Sequence, residues 1–476
     1  MRAGVAKVVI SRPGAIPAGD PLYVKALVLK SGAATAVLVT LDAVAVGEIG
    51  YVPNDYLAKV RAVLQKEHGV PPEGVVVNAS HCHGTVCADV DAKTVEAVAA
   101  ALANLVPVTV GVGVGHEDRV SENRRLRLKD GREVDVRHAY SLPPDAAVVG
   151  AGPIDPEVGV LRLDRADGRT LAVVFTFACH PIMGTPAAGG NTADLSGFAA
   201  RLVEEAFGGG AVALFVQGCG GDVNPLGYKA VHTPRDAEPL GNRLGLTVVR
   251  TARSVRPAAD GRLAVLNETL KLPRADHSER IERLEAEQSR LVKSFHGTTL
   301  NLRTFLELSA KYNLTPDSPA DYAYRYQAEK ARGRDDLLKL DEATRRDLRA
   351  YLDNVLAMEE LTRVQTNLAL LRKHQEANRL AGGRPLEAEL VGLRVGGFVL
   401  VAFPGELTVE VGQAVQRASP HRPTFVAGYT NGYLYYTPTA AQLRNPGAAQ
   451  EDCDTRVAPE WERVFQDRTA ALLKRL

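Results

Sequence analysis

The stretch Val75-Val76-Val77-Asn78-Ala79-Ser80-His81-Cys82-His83-Gly84 constrains this chain most. A short valine-rich run reads as a buried strand. It ends in two histidines spaced i, i+2. Side chains on an extended chain alternate faces, so His81 and His83 are expected on one side, roughly 6–7 Å apart. The C-terminal end of a strand is where open α/β sheets place their active sites. Two imidazoles there supply one metal ligand and one proton-transfer group, or two ligands. The plainer alternative is a pair of turn histidines.

The surrounding pattern favours a sheet-based fold. Through residues 1–270, Val/Ala/Leu strands alternate with Ala/Leu helices. Val5–Ile10, Val37–Asp42, Ala172–Phe177 and Ala211–Val216 read as strands; Asn54–Glu67 and Glu96–Leu105 read as helices. Pro107 separates the latter helix from a Val-rich strand. This alternation predicts an α/β class with mixed sheets flanked by helices. Near Asp276 the character changes. Ile281, Leu284, Gln288, Leu291 and Val292 fit one helix face, and Leu356, Leu361, Val364, Leu368 and Leu371 trace another. Pro316 and Pro319 break the segment between them. Residues 276–380 are therefore expected to be a helical insertion within a single domain spanning 1–476. Such an insertion serves as a lid, as a contact for homo-oligomer assembly, or as a packing appendage. Strands resume over Leu390–Ala402 and Thr424–Gly428, and Trp461–Leu476 reads as a closing helix.

Bulk properties narrow the function classes. Of 476 residues, 45% are hydrophobic and 24% charged, with a net charge of +1. That balance gives no electrostatic footprint for nucleic acid or an anionic membrane. No segment reads as a transmembrane span, and the chain as given is expected to be cytoplasmic, or secreted or periplasmic if a leader was removed. Cys82, Cys87, Cys179, Cys219 and Cys453 are an odd, sparse set, better read as small buried residues than as a disulfide framework. The Cys82–Cys87 spacing would permit one bridge.

Further loops follow strands in the same manner. Phe175-Thr176-Phe177-Ala178-Cys179-His180-Pro181 puts His180 at a strand end, as a structural residue or a site residue. Asp194 and Ser196 follow as helix caps or as site neighbours. In Gln217-Gly218-Cys219-Gly220-Gly221-Asp222-Val223-Asn224-Pro225 the glycines let backbone approach something closely. The loop lacks the lysine and spacing of a phosphate-binding loop. Asp222 and Asn224 either hydrogen-bond site residues or shape a tight turn. Phe403-Pro404-Gly405-Glu406 ends another apolar strand in a lone glutamate. Gly428-Tyr429-Thr430-Asn431-Gly432-Tyr433-Leu434-Tyr435-Tyr436-Thr437-Pro438-Thr439 gathers four of 14 tyrosines. These are for packing, for substrate contact, with Tyr433 a candidate, or for an uncommon phenolate metal ligand.

In that order, SHCH, ACHP, GGDVNP, FPGE and NGYLYYTPT resemble the neutral/alkaline non-lysosomal ceramidase family, as do Gly4-Val5-Ala6-Lys7 and Asp20-Pro21-Leu22-Tyr23-Val24-Lys25-Ala26-Leu27. The resemblance covers nearly the whole chain and is weakest over 276–380. It implies an α/β catalytic domain with one catalytic zinc ion that hydrolyses the amide of a small-molecule or lipid-like N-acyl substrate. It implies His81, His180, Glu406 and Tyr436 as zinc ligands, His83 as general acid/base, and Asn123-Arg124 as a substrate-contacting step. Two imidazoles, a carboxylate and a phenolate suit zinc with one open position.

Three departures imply a divergent member acting on another substrate. Asn224 stands where ceramidases carry a serine. Gly84-Thr85-Val86 replaces a Ser-Gly-Pro signature. The chain also ends about forty residues past Tyr436, without the C-terminal Ig-like domain. The expected function is a zinc-dependent hydrolase acting on an amide. A zinc esterase or lactonase, and a non-catalytic binding protein retaining the fold, are the alternatives.

Overall fold

The computed structural model describes residues 1–14, 20–136, 142–184, 191–230, 232–316, 323–447 and 449–476. They form two compact units: Met1–Val136, Asp145–Asp276 and His374–Leu476 make one, and Arg137–Pro144 with His277–Lys373 the other.

Two mixed sheets build the first unit. The larger runs Val212–Gln217, Thr170–Phe177, Glu157–Arg165, Val106–His116, Arg2–Val9, Tyr23–Ser31, Ala34–Leu41, Val75–Ala79 in spatial order. Its two outermost pairs are parallel and the pairs between them antiparallel. The smaller sheet runs Leu263–Leu272, Leu386–Val395, Phe398–Ala402, Thr424–Ala427, with the last pair parallel. The strands expected over 390–402 form a hairpin whose turn is Gly396-Gly397, with Gly396 at φ +59°.

Side-chain alternation explains the layering. Leu27, Leu29, Leu38, Val76, Leu161, Val174 and Leu214 of the large sheet form one cluster with Val391, Leu393, Leu400 and Phe425 of the small one. The opposite face of the large sheet sends Val24, Val28, Val39 and Val77 under helices Tyr56–His68 and Val90–Ala103. It sends Val160, Val173, Phe175 and Phe215 under Asp194–Phe207 and Ala237–Ser254. Val401, Phe403 and Val426 of the small sheet pack under Val409–Ala418 and Trp461–Leu473. Helices therefore cover two sheets packed face to face. Burial on both faces is why these strands read as unbroken apolar runs, each buried Val, Leu or Phe contributing about 1.5–3 kcal/mol. Gly111, Gly113 and Gly115 leave bare backbone where Thr251, Val255 and Pro257 press close.

The second unit is helical, as expected. It holds Ser278–Lys293, Leu302–Leu314, Ala323–Ala331 and most of the long helix Asp336–Leu380. Leu284, Leu291, Val364, Leu368 and Leu371 are buried, whereas Val292 and Leu356 of the expected faces are exposed. Pro316 lies just past the helix ending at Leu314, and Pro319 lies outside the described residues. No helix among the described residues is long and apolar enough to cross a membrane. All five cysteines are buried and none is in a disulfide, so the Cys82–Cys87 bridge is not formed.

Candidate metal centre

Four strand ends converge on one point of the first unit. Val75–Ala79 leads to His81, Thr170–Phe177 to His180, Phe398–Ala402 to Glu406, and Thr424–Ala427 to the tyrosine-rich loop. The short strands at Glu406 and Tyr436 pair in parallel, with these two residues in register.

The same-face argument for the two histidines needs correction. The strand stops at Ala79, and His81 has φ +69°, so the chain turns where extension was expected. The His81 and His83 rings still lie 5.6 Å apart, at 89° to each other. His81 is buried and His83 exposed. The turn is held because Ser80 N–H and His81 N–H donate to the Leu41 and Ala43 carbonyls, 2.9 Å each. A left-handed conformation at a non-glycine residue is costly and persists only where its surroundings over-determine it.

His81, His180 and Glu406 bring ligand-type atoms within 4.8 Å of one another, all buried. Nε2 lies 3.6 Å from Glu406 Oε2 for His81 and 3.2 Å for His180. Each ring is oriented from behind: His81 Nδ1 is 2.7 Å from the Val44 carbonyl oxygen, and His180 Nδ1 is 3.1 Å from that of Val223. A carbonyl only accepts, so both Nδ1 atoms donate. Burial, and then the Arg124 charge, depress the His180 pKa to about 3, so its ring is neutral and Nε2 presents a lone pair. That atom is buried with no hydrogen-bond partner among the described residues, facing a carboxylate oxygen that also accepts. Burial alone would raise the Glu406 carboxyl. The Glu406 carboxyl is nonetheless held below its usual range, with the Tyr433 hydroxyl donating to its ionised form. Acceptor set against acceptor in a buried site is what a cation resolves. The three residues fit a metal ion, with each imidazole held by a backbone carbonyl as metal-binding histidines usually are.

The remaining candidates form a surrounding polar layer. Tyr433 donates its hydroxyl to Glu406 Oε1. The Tyr436 hydroxyl accepts from an Arg124 terminal nitrogen at 3.1 Å, and its ring lies 6.5 Å from that of His180. Buried Arg124 also donates to Gly221 O at 2.6 Å, Asn224 Oδ1 at 3.1 Å and Glu451 Oε1 at 2.7 Å. Asn123 Nδ2 donates to Asp222 Oδ2 at 3.0 Å and to the Pro153 carbonyl at 2.7 Å. The other Asp222 oxygen accepts from Val409 N–H at 2.9 Å, capping the helix that follows Glu406; burial pushes this carboxyl up to about 6. Asp194 stands apart from these bonds. Its oxygens accept from Gly184 N–H at 2.6 Å and Leu195 N–H at 2.7 Å, shaping the loop after His180.

Sequence reasoning passed over four contributors. Tyr429 donates to Glu406 Oε2 at 3.2 Å and packs its ring 4.5 Å from His81. Glu451 holds both Arg124 and Arg125. Asn78, polar in the middle of a valine run, accepts from Gln217 N–H and donates to the Gly428 carbonyl, 2.8 Å each, tying three strand ends together. His374, on the long helix, bonds Asp454. The tyrosine cluster that holds Tyr429 and the interruption of the valine run by Asn78 were the local signals.

Among solved structures, the chain is similar to neutral ceramidase from Pseudomonas aeruginosa, with 19% identity and a TM-score of 0.60 over 100% of this chain and 75% of that one. It is similar to a ceramidase complexed with C2, with 20% identity and a TM-score of 0.62 over the same shares. At these identities the likeness is one of fold. No family model and no curated protein matches the chain.

Proposed function

We propose that this chain is a zinc-dependent hydrolase that cleaves an amide (N-acyl) bond. The carrying observation is the buried His81–His180–Glu406 cluster, with the His180 lone pair set against a carboxylate. Tyr436, in register with Glu406, is the proposed fourth ligand. Zinc held there supplies Lewis acidity toward a carbonyl and lowers the pKa of a water toward neutrality. The chain's own residues do the rest. His83, exposed beside the cluster, carries the proton to the leaving amine. Arg124 fixes the Tyr436 hydroxyl, while Tyr429 and Tyr433 hold the two oxygens of Glu406. Asn224 has no nucleophilic lone pair at neutral pH; held by Arg124, it orients a ligand or substrate. The ceramidase fold of the neighbours and the five ordered motifs favour a lipid-like N-acyl substrate.

The test is elemental analysis of purified protein, followed by turnover of N-acyl amides, esters and lactones before and after chelation and zinc return. About one zinc per chain and chelator-sensitive amide cleavage are expected. A metal-free active protein overturns the metal assignment. Zinc-dependent cleavage confined to esters or lactones overturns the amide assignment.

A further inference from the structure

We infer that His374 is a positioning residue for this site: its bond to Asp454 and its packing on Tyr435 fix the turn that carries Tyr433 and Tyr436. The inference rests on the reading that His81, His180 and Glu406 hold a metal. The turn is tied to Glu406 at both ends, because Glu406 N–H donates to the Tyr435 carbonyl at 2.9 Å and Tyr433 donates to the Glu406 carboxylate. Yet Tyr435 sits at φ +61°, a left-handed conformation that an aromatic residue holds only under external constraint.

The constraint comes from contacts on its ring and from the backbone opposite. The His374 ring meets the Tyr435 ring at 4.6 Å and 72°, edge to face. The Arg456 guanidinium lies 4.7 Å from the same ring. Tyr435 forms a bridge with Thr455, and Tyr436 N–H donates to the Asp454 carbonyl at 3.1 Å. His374 holds that opposing segment: fully buried, it sets Nε2 2.6 Å from Asp454 Oδ1, while its Nδ1 has no hydrogen-bond partner among the described residues. One imidazole thus pins both the strained tyrosine and the segment it bridges to. It touches none of His81, His180 or Glu406 in the bonds described, so its effect passes through Tyr433, Tyr435 and Tyr436.

The test compares His374→Ala, His374→Asn and His374→Gln with the wild type, each loaded with Co2+ and separately with Zn2+. A glutamine amide reaches roughly where Nε2 lies and can donate to Asp454; an asparagine amide is too short. In the Ala and Asn variants the Co2+ absorption spectrum should shift. Competition with a chelator should show affinity weakened by about 10–100-fold, the range for losing a residue that orients ligands. Gln should restore both. On the substrate found by the panel above, the loss should fall on kcat rather than KM. If Ala does not fold, the Asn–Gln comparison carries the same test. Wild-type protein that binds Co2+ while Ala or Asn leaves spectrum and affinity unchanged overturns the inference alone, as does Gln behaving like Asn. Wild-type protein that binds neither ion overturns the metal reading and this inference with it.

Discussion

A neutral imidazole that donates from Nδ1 to a backbone carbonyl has only a lone pair left at Nε2. That constraint separates the roles of neighbouring histidines. His81 and His180 are both anchored this way, both buried, and both aimed at Glu406. His83 is exposed and outside that set of ligand atoms, although its ring is 5.6 Å from His81. His81→Ala is therefore expected to lose zinc and turnover together. His83→Ala should keep near-stoichiometric zinc while turnover falls about 10²–10⁴-fold, the range for a lost general acid/base. Zinc content and kcat measured on the same preparations decide it: zinc lost as fully from His83→Ala as from His81→Ala, or undiminished turnover in His83→Ala, would remove the proton-transfer role.

At the scale of elements, close approach of backbones decides what the layers tolerate. Gly4, in the strand Arg2–Val9, lies against the helix Val90–Ala103, and a Cβ at this position would run into the Ala101 carbonyl oxygen. Backbone cannot swing aside as a side chain can, so Gly4→Ala should destabilise the fold by about 1–3 kcal/mol. Urea unfolding should show a lower midpoint at unchanged slope; an unchanged midpoint would mean that helix and sheet are less tightly packed than described. These layers were legible in the sequence, because doubly buried strands leave runs such as Val75–Val77 and Val212–Val216. So was the placing of His81, His180 and Glu406 at strand ends. Their convergence was legible only through the ordered motifs, since His81 and Glu406 follow strands of two different sheets, far apart in the chain. The left-handed turn at His81 was not legible: two carbonyls far along the chain, on Leu41 and Ala43, hold it. Nor was the Asp454–His374 bond, because nothing near either residue in the chain distinguishes it from a surface pair.

For the molecule as a whole, pH dependence of stability is a sum of carboxyls pulled in opposite directions. Glu204 and Glu389 are half-buried, yet Lys25 and Lys7 for the first and Arg61 for the second hold them below their usual range. Such groups add stability at neutral pH that is lost as the pH falls through their folded values. Asp42 does the opposite. It follows the strand Ala34–Leu41 and accepts from Tyr23 N–H at 2.8 Å; burial, only partly offset by Lys25, pushes its carboxyl up from 3.8 to about 6. The folded chain keeps this proton to a higher pH than the unfolded chain, so unfolding releases it between about pH 4 and 6. Asp42 therefore costs stability progressively as the pH rises through that window, and its cost is constant above it. The whole profile mixes both kinds of group, but Asp42→Asn isolates one, since the amide oxygen can still accept from Tyr23. At about 1.4 kcal/mol per pH unit the limit is about 3 kcal/mol, and residual solvent access at Asp42 lowers the expected change to about 1–2 kcal/mol. Asp42→Asn should therefore gain about that much stability relative to wild type between pH 4 and pH 7, with no further gain to pH 8. Urea unfolding of both proteins at those three values tests this. A difference that stays flat across the window, or shrinks as the pH rises, would show that the Asp42 carboxyl is not raised in the folded chain.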